Sequence, residues 1–250
     1  MRMRKKKNGS RRIENLSALF IKKAEDGTFS FPDFAEDRPI RIEIGCGKGD
    51  FVCGISLSEP DYNYIALERV SDVIMSAAEK YATSRGLGTL APNGGWLTPG
   101  GEIIDGEAWN IPKILRGNVR FLCCEAKEFL ATLPDSSVDS VYTNFSDPWP
   151  KKGYAKRRLT HLRFLNSYLR ILREGGELRV KTDNDGLYEF TLEQLSESGG
   201  FDVIMQTADL HASVWAEDNV ITEYERNFIS KGKNINSVWA KKNIERAAHE

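Results

Sequence analysis

Four places in this chain combine glycines, acids or aromatics at spacings that could do chemistry. The first is Glu43-Ile44-Gly45-Cys46-Gly47-Lys48-Gly49. Glycines let a backbone turn tightly and let a ligand lie against it. A dinucleotide fingerprint needs GxGxxG. Here the third glycine comes one residue early and Asp50 fills the slot, which argues against a nicotinamide cofactor. The second place is Glu68, a carboxylate that could accept both hydroxyls of a ribose or simply sit in solvent. The third is Glu125, which could hold an adenine amino group or start a helix, where the dipole favours an acid; residue type leaves both open. The fourth is Asn144-Phe145-Ser146-Asp147-Pro148-Trp149-Pro150-Lys151-Lys152. Its two prolines hold the segment extended and rigid around Trp149. A rigid aromatic with cationic neighbours suits a nucleotide base and its phosphates; the bland alternative is a turn with a surface tryptophan.

The elements that must position these groups read as strands alternating with helices. Ile40 to Ile44 alternates apolar and polar residues and runs into the glycine loop, and Phe51, Val52 and Ile55 begin a helix. Tyr62 to Leu67 reads as a second strand, which ends at Glu68. Val70, Val73, Ile74, Ala77, Ala78 and Tyr81 make one apolar helix face, with Ser71 as its expected N-cap. Val119 to Cys123 is a third strand, followed by a helix through Ala126, Phe129, Leu130 and Leu133, and Val138 to Phe145 is a fourth. The leucine stripe at 162, 165, 169 and 172 is expected to stop at Gly175-Gly176, before a fifth strand over Glu177 to Lys181. Leu187 to Leu195 is a helix closed by Gly199-Gly200, and 201–207 and 237–241 are late strands. Such alternation predicts an α/β domain around a mostly parallel sheet, whose ligands sit at the carboxyl ends of the strands. Neighbouring parallel strands lie about 4.8 Å apart, so Glu68 should fall near the glycine loop. Residues 86–117 break the rhythm, with eight of the 21 glycines, three prolines, Trp96 and Trp109. They read as an inserted excursion with a small hairpin, at the end of the sheet away from the chemistry.

Composition narrows the field. At 250 residues, 40% hydrophobic and 28% charged, the chain suits one domain from residue 13 to 250, behind a flexible basic arm over 1–12. No run of about eighteen apolar residues offers a membrane span, and the basic start has no apolar region behind it, so the expectation is a soluble cytoplasmic protein. Cys46, Cys53, Cys123 and Cys124 form no CxxC pair and the histidines are scattered, so no metal site is expected. Net charge is −1, but it is segregated: residues 2–12 hold seven Lys or Arg and residues 148–173 eight, with no acid in either stretch. That pattern can give a basic face on a neutral protein.

Taken in order, EIGCGKG, NFSDPWPKKGYAKRRL, VKTDN and ITEYE resemble the bacterial tRNA (guanine-N7)-methyltransferase family, over roughly residues 38–85 and 118–242. DPWPK together with TEYE is a highly specific combination. The resemblance implies a class I, Rossmann-like methyltransferase fold: a seven-stranded, mostly parallel sheet with helices on both faces. It implies S-adenosylmethionine as cofactor and tRNA as partner, with N7 of a variable-loop guanine as target. Glu43, Gly45, Gly47, Gly49, Glu68, Glu125 and Asp147 would line the cofactor site. Lys151, Asp183 and Thr222-Glu223-Tyr224-Glu225 would contact the target, and Asp147 would stand closest to the catalytic step. A monomer or homodimer is expected, with no obligatory protein partner and no membrane.

The chemistry agrees with those roles. Guanine N7 carries an in-plane lone pair and no proton, so its methylation needs alignment and electrostatics more than a general base. Asp147, Asp183 and Glu225 would hold the base and stabilise its developing charge, while Lys151, Lys152, Lys156, Arg157 and Arg158 would carry phosphates. Two departures from the family pattern stand out: the 86–117 excursion is longer than usual, and Glu125 stands where the family usually has Asp. The rival readings are a small-molecule methyltransferase, a nicotinamide-dependent dehydrogenase, and a cofactor-binding RNA chaperone on an inactive methyltransferase fold.

Overall fold

A computed structural model describes residues 8–30 and 32–243. In chain order its elements are α1 (Gly9–Asn15), β1 (Ile40–Ile44), α2 (Asp50–Ser58), β2 (Asn63–Leu67), α3 (Ser71–Ser84), β3 (Thr89–Leu90), β4 (Trp96–Leu97) and β5 (Ile103–Ile104). There follow β6 (Val119–Leu122), α4 (Ala126–Leu130), β7 (Val138–Asn144), α5 (Leu162–Ile171), β8 (Leu172–Thr182), α6 (Asp185–Ser198), β9 (Phe201–Thr207), α7 (Glu223–Ile229) and β10 (Asn236–Lys242). Seven strands form one sheet in the order β6-β2-β1-β7-β8-β10-β9. The pairs β2–β6, β1–β7 and β7–β8 are parallel, and β10 runs antiparallel to both β8 and β9. The expected seven-stranded, mostly parallel α/β sheet is therefore present. No helix among the described residues is long and apolar enough to cross a membrane.

The chain divides into two compact units, Met1–Arg38 with Cys46–Ala126, and Pro39–Gly45 with Lys127–Glu250. In the first unit β2 and β6 are buried along their whole length. Ile74, Ala77, Ala78 and Tyr81 turn the buried face of α3 inward, as their spacing predicts. The cap differs from expectation: α3 begins at Ser71 itself, and extended Val70 is the N-cap without a side-chain bond. Residues 1–7 of the expected basic arm lie outside the described residues. Residues 9–12 are not arm but the start of α1, because their arginines find acids: Arg12 donates twice to Glu79 of α3 at 2.7 Å, and Arg11 pairs with Asp105. The excursion holds three short strands rather than a single hairpin, with Trp96 buried in it and its indole N–H donating to the Leu87 carbonyl at 2.9 Å. It runs from the end of α3 to the start of β6, where the Asn118 carbonyl accepts from the Tyr64 amide at 2.7 Å. That is the amino end of β2, opposite Glu68.

In the second unit Arg41 of β1 and Asp139 of β7 form a buried pair at 2.9 Å. Burial works to raise the Asp139 pKa, but hydrogen bonds from Arg173, Ser140 and Arg41 outweigh it, and the carboxyl is held below its usual range. One boundary departs from the sequence reading. α5 ends at Ile171 and passes directly into β8, so Gly175-Gly176 lies inside a strand and caps nothing. Close backbone approach explains the second glycine: a Cβ at Gly176 would meet the carbonyl oxygens of Arg173 and Asp139 at 2.9 Å. α6 does end as expected, on left-handed Gly199 with φ 60°.

Candidate active site

The glycine loop leaves β1 with Gly45, Gly47 and Gly49 all in the left-handed region, at φ 79°, 56° and 81°. Their reasons differ. A Cβ at Gly45 or Gly47 would meet nothing within 4 Å, so open space lies beside the backbone there. A Cβ at Gly49 would come within 2.8 Å of the Ala77 methyl, so that glycine serves the packing of α2 on α3. In the first unit the Cys46 amide donates to the Leu67 carbonyl at 2.8 Å. This bond ties the loop to the end of β2 and brings it beside Glu68. Half-buried Glu68 accepts from the Val70 amide through Oε1 at 3.0 Å. Glu125 is exposed just before α4, with Arg69 at 3.8 Å.

The second unit holds the other predicted groups. Glu43 is buried in β1 and its Oε1 accepts from the side-chain Nδ2 of Asn144 at 3.1 Å, at the carboxyl end of β7. The loop beyond carries unusual backbone strain. Of the four non-glycine residues with left-handed backbone among the described residues, Phe145 (φ 53°) and Trp149 (φ 41°) lie here. Each such residue costs roughly 1–3 kcal/mol and persists only where its surroundings over-determine it. Those surroundings are visible. The Phe145 amide donates to the Lys181 carbonyl at 2.8 Å. Arg158 donates to the Pro148 and Trp149 carbonyls at 2.9 and 3.1 Å. Arg157 lies over the Trp149 and Tyr154 rings at 5.0 and 4.9 Å. Asp147 is exposed within this braced loop, and Lys151 is exposed at its end.

Tyr224, at the start of α7, packs against Phe145 and Phe228 in tilted pairs, with ring centres 4.9 and 4.8 Å away, yet stays 47% exposed. Its hydroxyl pKa is raised, first by burial and then by the charges of Asp183 and Asp147. Asp147 and Asp183 thus lie near enough to Tyr224 for their charges to act on its hydroxyl. The structure does not add Thr222 and Glu225, which the family pattern placed on the target. Thr222 caps α7 by accepting from the Glu225 amide at 3.0 Å, and Glu225 closes the box by accepting from the Thr222 amide at 3.3 Å. Glu225 is fully buried and also accepts from Lys181 at 2.9 Å and Asn219 at 2.6 Å, with His211 Nε2 at 3.0 Å. Its oxygens are engaged inside the protein. Glu223, one residue before Tyr224, is exposed.

Lys181, Asn219 and His211 were not singled out from sequence. Lys181 alone carried a signal: a lysine inside the apolar alternation of a strand must find a buried partner. Burial lowers its pKa and the Glu225 charge works against that shift. Of the two arginines expected on phosphates, Arg158 donates back to its own loop, while Arg157 lies over the Trp149 ring and stays exposed.

A family model described as "Putative methyltransferase" matches residues 37–238. Two proteins named tRNA (guanine-N(7)-)-methyltransferase, from Streptococcus pyogenes serotype M18 (strain MGAS8232) and serotype M5 (strain Manfredo), are each 38% identical to this chain over 241 residues, 96% of this chain and 99% of theirs. Among solved structures, the 16S rRNA methyltransferase KamB shares the fold, with a TM-score of 0.52 at 12% identity over 84% of this chain and 89% of its own.

Proposed function

This chain belongs to the tRNA (guanine-N7)-methyltransferase family, and from that premise we propose that it moves the methyl group of S-adenosylmethionine to N7 of a guanine in the variable loop of tRNA. One observation carries the reading to this chain's own residues: Tyr224 offers a half-exposed ring backed by Phe145, with Asp147 and Asp183 close enough to act on its hydroxyl. A ring of that kind stacks a base. Carboxylates at its edge can accept from the N1–H and exocyclic amine of guanine.

The glycine loop fits the cofactor. The open space beside Gly45 and Gly47 lets a ligand lie on the backbone, and Glu68 stands at the neighbouring strand end with a carboxylate suited to ribose hydroxyls. Glu43, Glu125 and Asp147 complete the set that the family pattern names. When bound, S-adenosylmethionine supplies an electrophilic methyl group whose positive charge passes to the base. The protein's share is alignment and electrostatics, because N7 has no proton to lose. Asp147 and Asp183 orient the ring and favour its developing charge. Lys151, Lys152 and Lys156, all exposed, contact phosphates and give the binding its salt dependence. Glu225 enters this scheme only by fixing the start of α7, and with it Tyr224. The protein would act in the cytoplasm as a monomer or homodimer.

The test is methyl incorporation from labelled cofactor into transcribed tRNA with and without the variable-loop guanine. Incorporation into the first RNA alone is expected. Equal incorporation into both would move the target elsewhere, and none into either would overturn the enzymatic reading.

A further inference from the structure

We propose that Arg158 is a positioning residue for Asp147 and not a phosphate ligand; the proposal rests on the tRNA methylation read above. The basic stretch after Trp149 looks uniform in sequence, but the structure divides it. Lys151, Lys152 and Lys156 are exposed, while Arg158 is half-buried. Its Nε donates to the Pro148 carbonyl at 2.9 Å and its Nη2 to the Trp149 carbonyl at 3.1 Å. The Cζ of the same guanidinium lies over the Phe190 ring of α6, 4.2 Å from its centre. One side chain therefore joins two consecutive carbonyls of the loop to a separate element, α6.

The chemistry of the loop explains why an arginine stands there. Pro148 and Pro150 have no amide hydrogen, so the segment can donate few bonds of its own to hold its shape. Trp149 between them sits at φ 41°, a conformation that must be enforced from outside. The planar fork of arginine presents two donors at fixed spacing and stacks on a ring, whereas lysine offers a point charge that can do neither. The Pro148 carbonyl is one residue from Asp147, so the fork fixes the backbone that aims this carboxylate. A displacement of about 1 Å in an aligned site can cost on the order of a hundredfold in rate. Arg157 differs: it lies over the Trp149 and Tyr154 rings but stays exposed, so only Arg158 leaves the phosphate-binding set.

The experiment compares wild type, Arg158→Lys, Arg158→Ala and Lys156→Ala in four readouts: kcat, KM for tRNA, the salt dependence of tRNA binding, and hydrogen exchange of the amides from 145 to 149. Arg158→Lys should lower kcat at least about tenfold. Its KM should stay within about twofold of wild type and its salt slope unchanged. Exchange in the loop should quicken. Lys156→Ala should do the reverse, raising KM and reducing the salt slope by about one. If Arg158→Lys keeps full kcat, or Arg158→Ala raises KM and flattens the salt slope as Lys156→Ala does, Arg158 is not a positioning residue. Arg158→Lys retains the charge and stands as the test if the alanine variant fails to fold. Should wild type methylate no tRNA at all, the functional reading fails, and loop exchange in Arg158→Lys still reports whether the brace exists.

Discussion

The segments that follow β7 and β9 leave the same edge of the sheet, and both carry acids of the family pattern, yet they treat them in opposite ways. The first keeps Asp147 in solvent on a strained loop braced by Arg157 and Arg158. The second leads to Glu225, fully enclosed among Lys181, Asn219, His211 and the Thr222 amide. An acidic letter in a motif is therefore not yet a ligand. In Glu225, burial among several donors engages both oxygens inside the protein. Within the Thr222–Glu225 stretch the outer residues build the start of α7, and the middle ones, Glu223 and Tyr224, are presented.

The sharpest way to break this contrast is Glu225→Ala. It strands Lys181, which is already pushed toward neutrality by burial, and should destabilise the fold by about 3–5 kcal/mol in denaturant unfolding. A variant that melts like wild type and loses only tRNA affinity would return Glu225 to the target. Next comes Asp147→Asn, which should lower kcat on the order of a hundredfold, with stability within about 0.5 kcal/mol of wild type. Full turnover in that variant would remove Asp147 from the reaction. A smaller effect is expected at the aromatic surface between the two segments. Tyr224→Ala should weaken tRNA binding by about 1–3 kcal/mol, and Tyr224→Phe should bind nearly as wild type does. Equal losses in both would point to the hydroxyl instead of the ring.

Much of this was legible in sequence because it is local. The glycine loop, the strand before it and the position of Glu68 follow from alternation and from backbone needs that only neighbouring residues set. The rest depends on partners far along the chain. Nothing near Glu225 reveals that Lys181, in β8, will meet it in the core. Nothing near Arg11 and Arg12 reveals that Asp105 and Glu79 will turn the end of a basic arm into a helix. Gly175-Gly176 looks like a helix stop, and only the closeness of the Asp139 carbonyl on the neighbouring strand shows that it lies inside a strand instead. Arg158 follows the same rule: its charge is plain in the sequence, but the carbonyls it serves are not.

The two segments also start their helices differently, and that gives the smallest effect and the cleanest sign. α7 is capped by the Thr222 hydroxyl and the Glu225 carboxylate. α5 is capped by His161, whose Nδ1 accepts from the Arg163 amide at 3.2 Å. Only a neutral imidazole can accept there, since protonation turns both ring nitrogens into donors. Desolvation, and then the charges of Arg163 and Lys156, lower the His161 pKa from the ordinary 6.5, with Arg158 adding to that shift and Glu197 opposing it. The unfolded chain therefore takes up the proton more readily than the folded one. The cap is fully in force above the unfolded value, and its contribution is lost as pH falls through the lower folded value. Replacing His161 by Asn keeps a capping oxygen that does not titrate in this range, so between pH 7.5 and pH 5 wild type should lose up to about 1 kcal/mol more stability than His161→Asn. Parallel pH profiles for the two proteins would show that the histidine cap contributes nothing that a proton can remove, and that the helix starts beside the two segments differ in residue type alone.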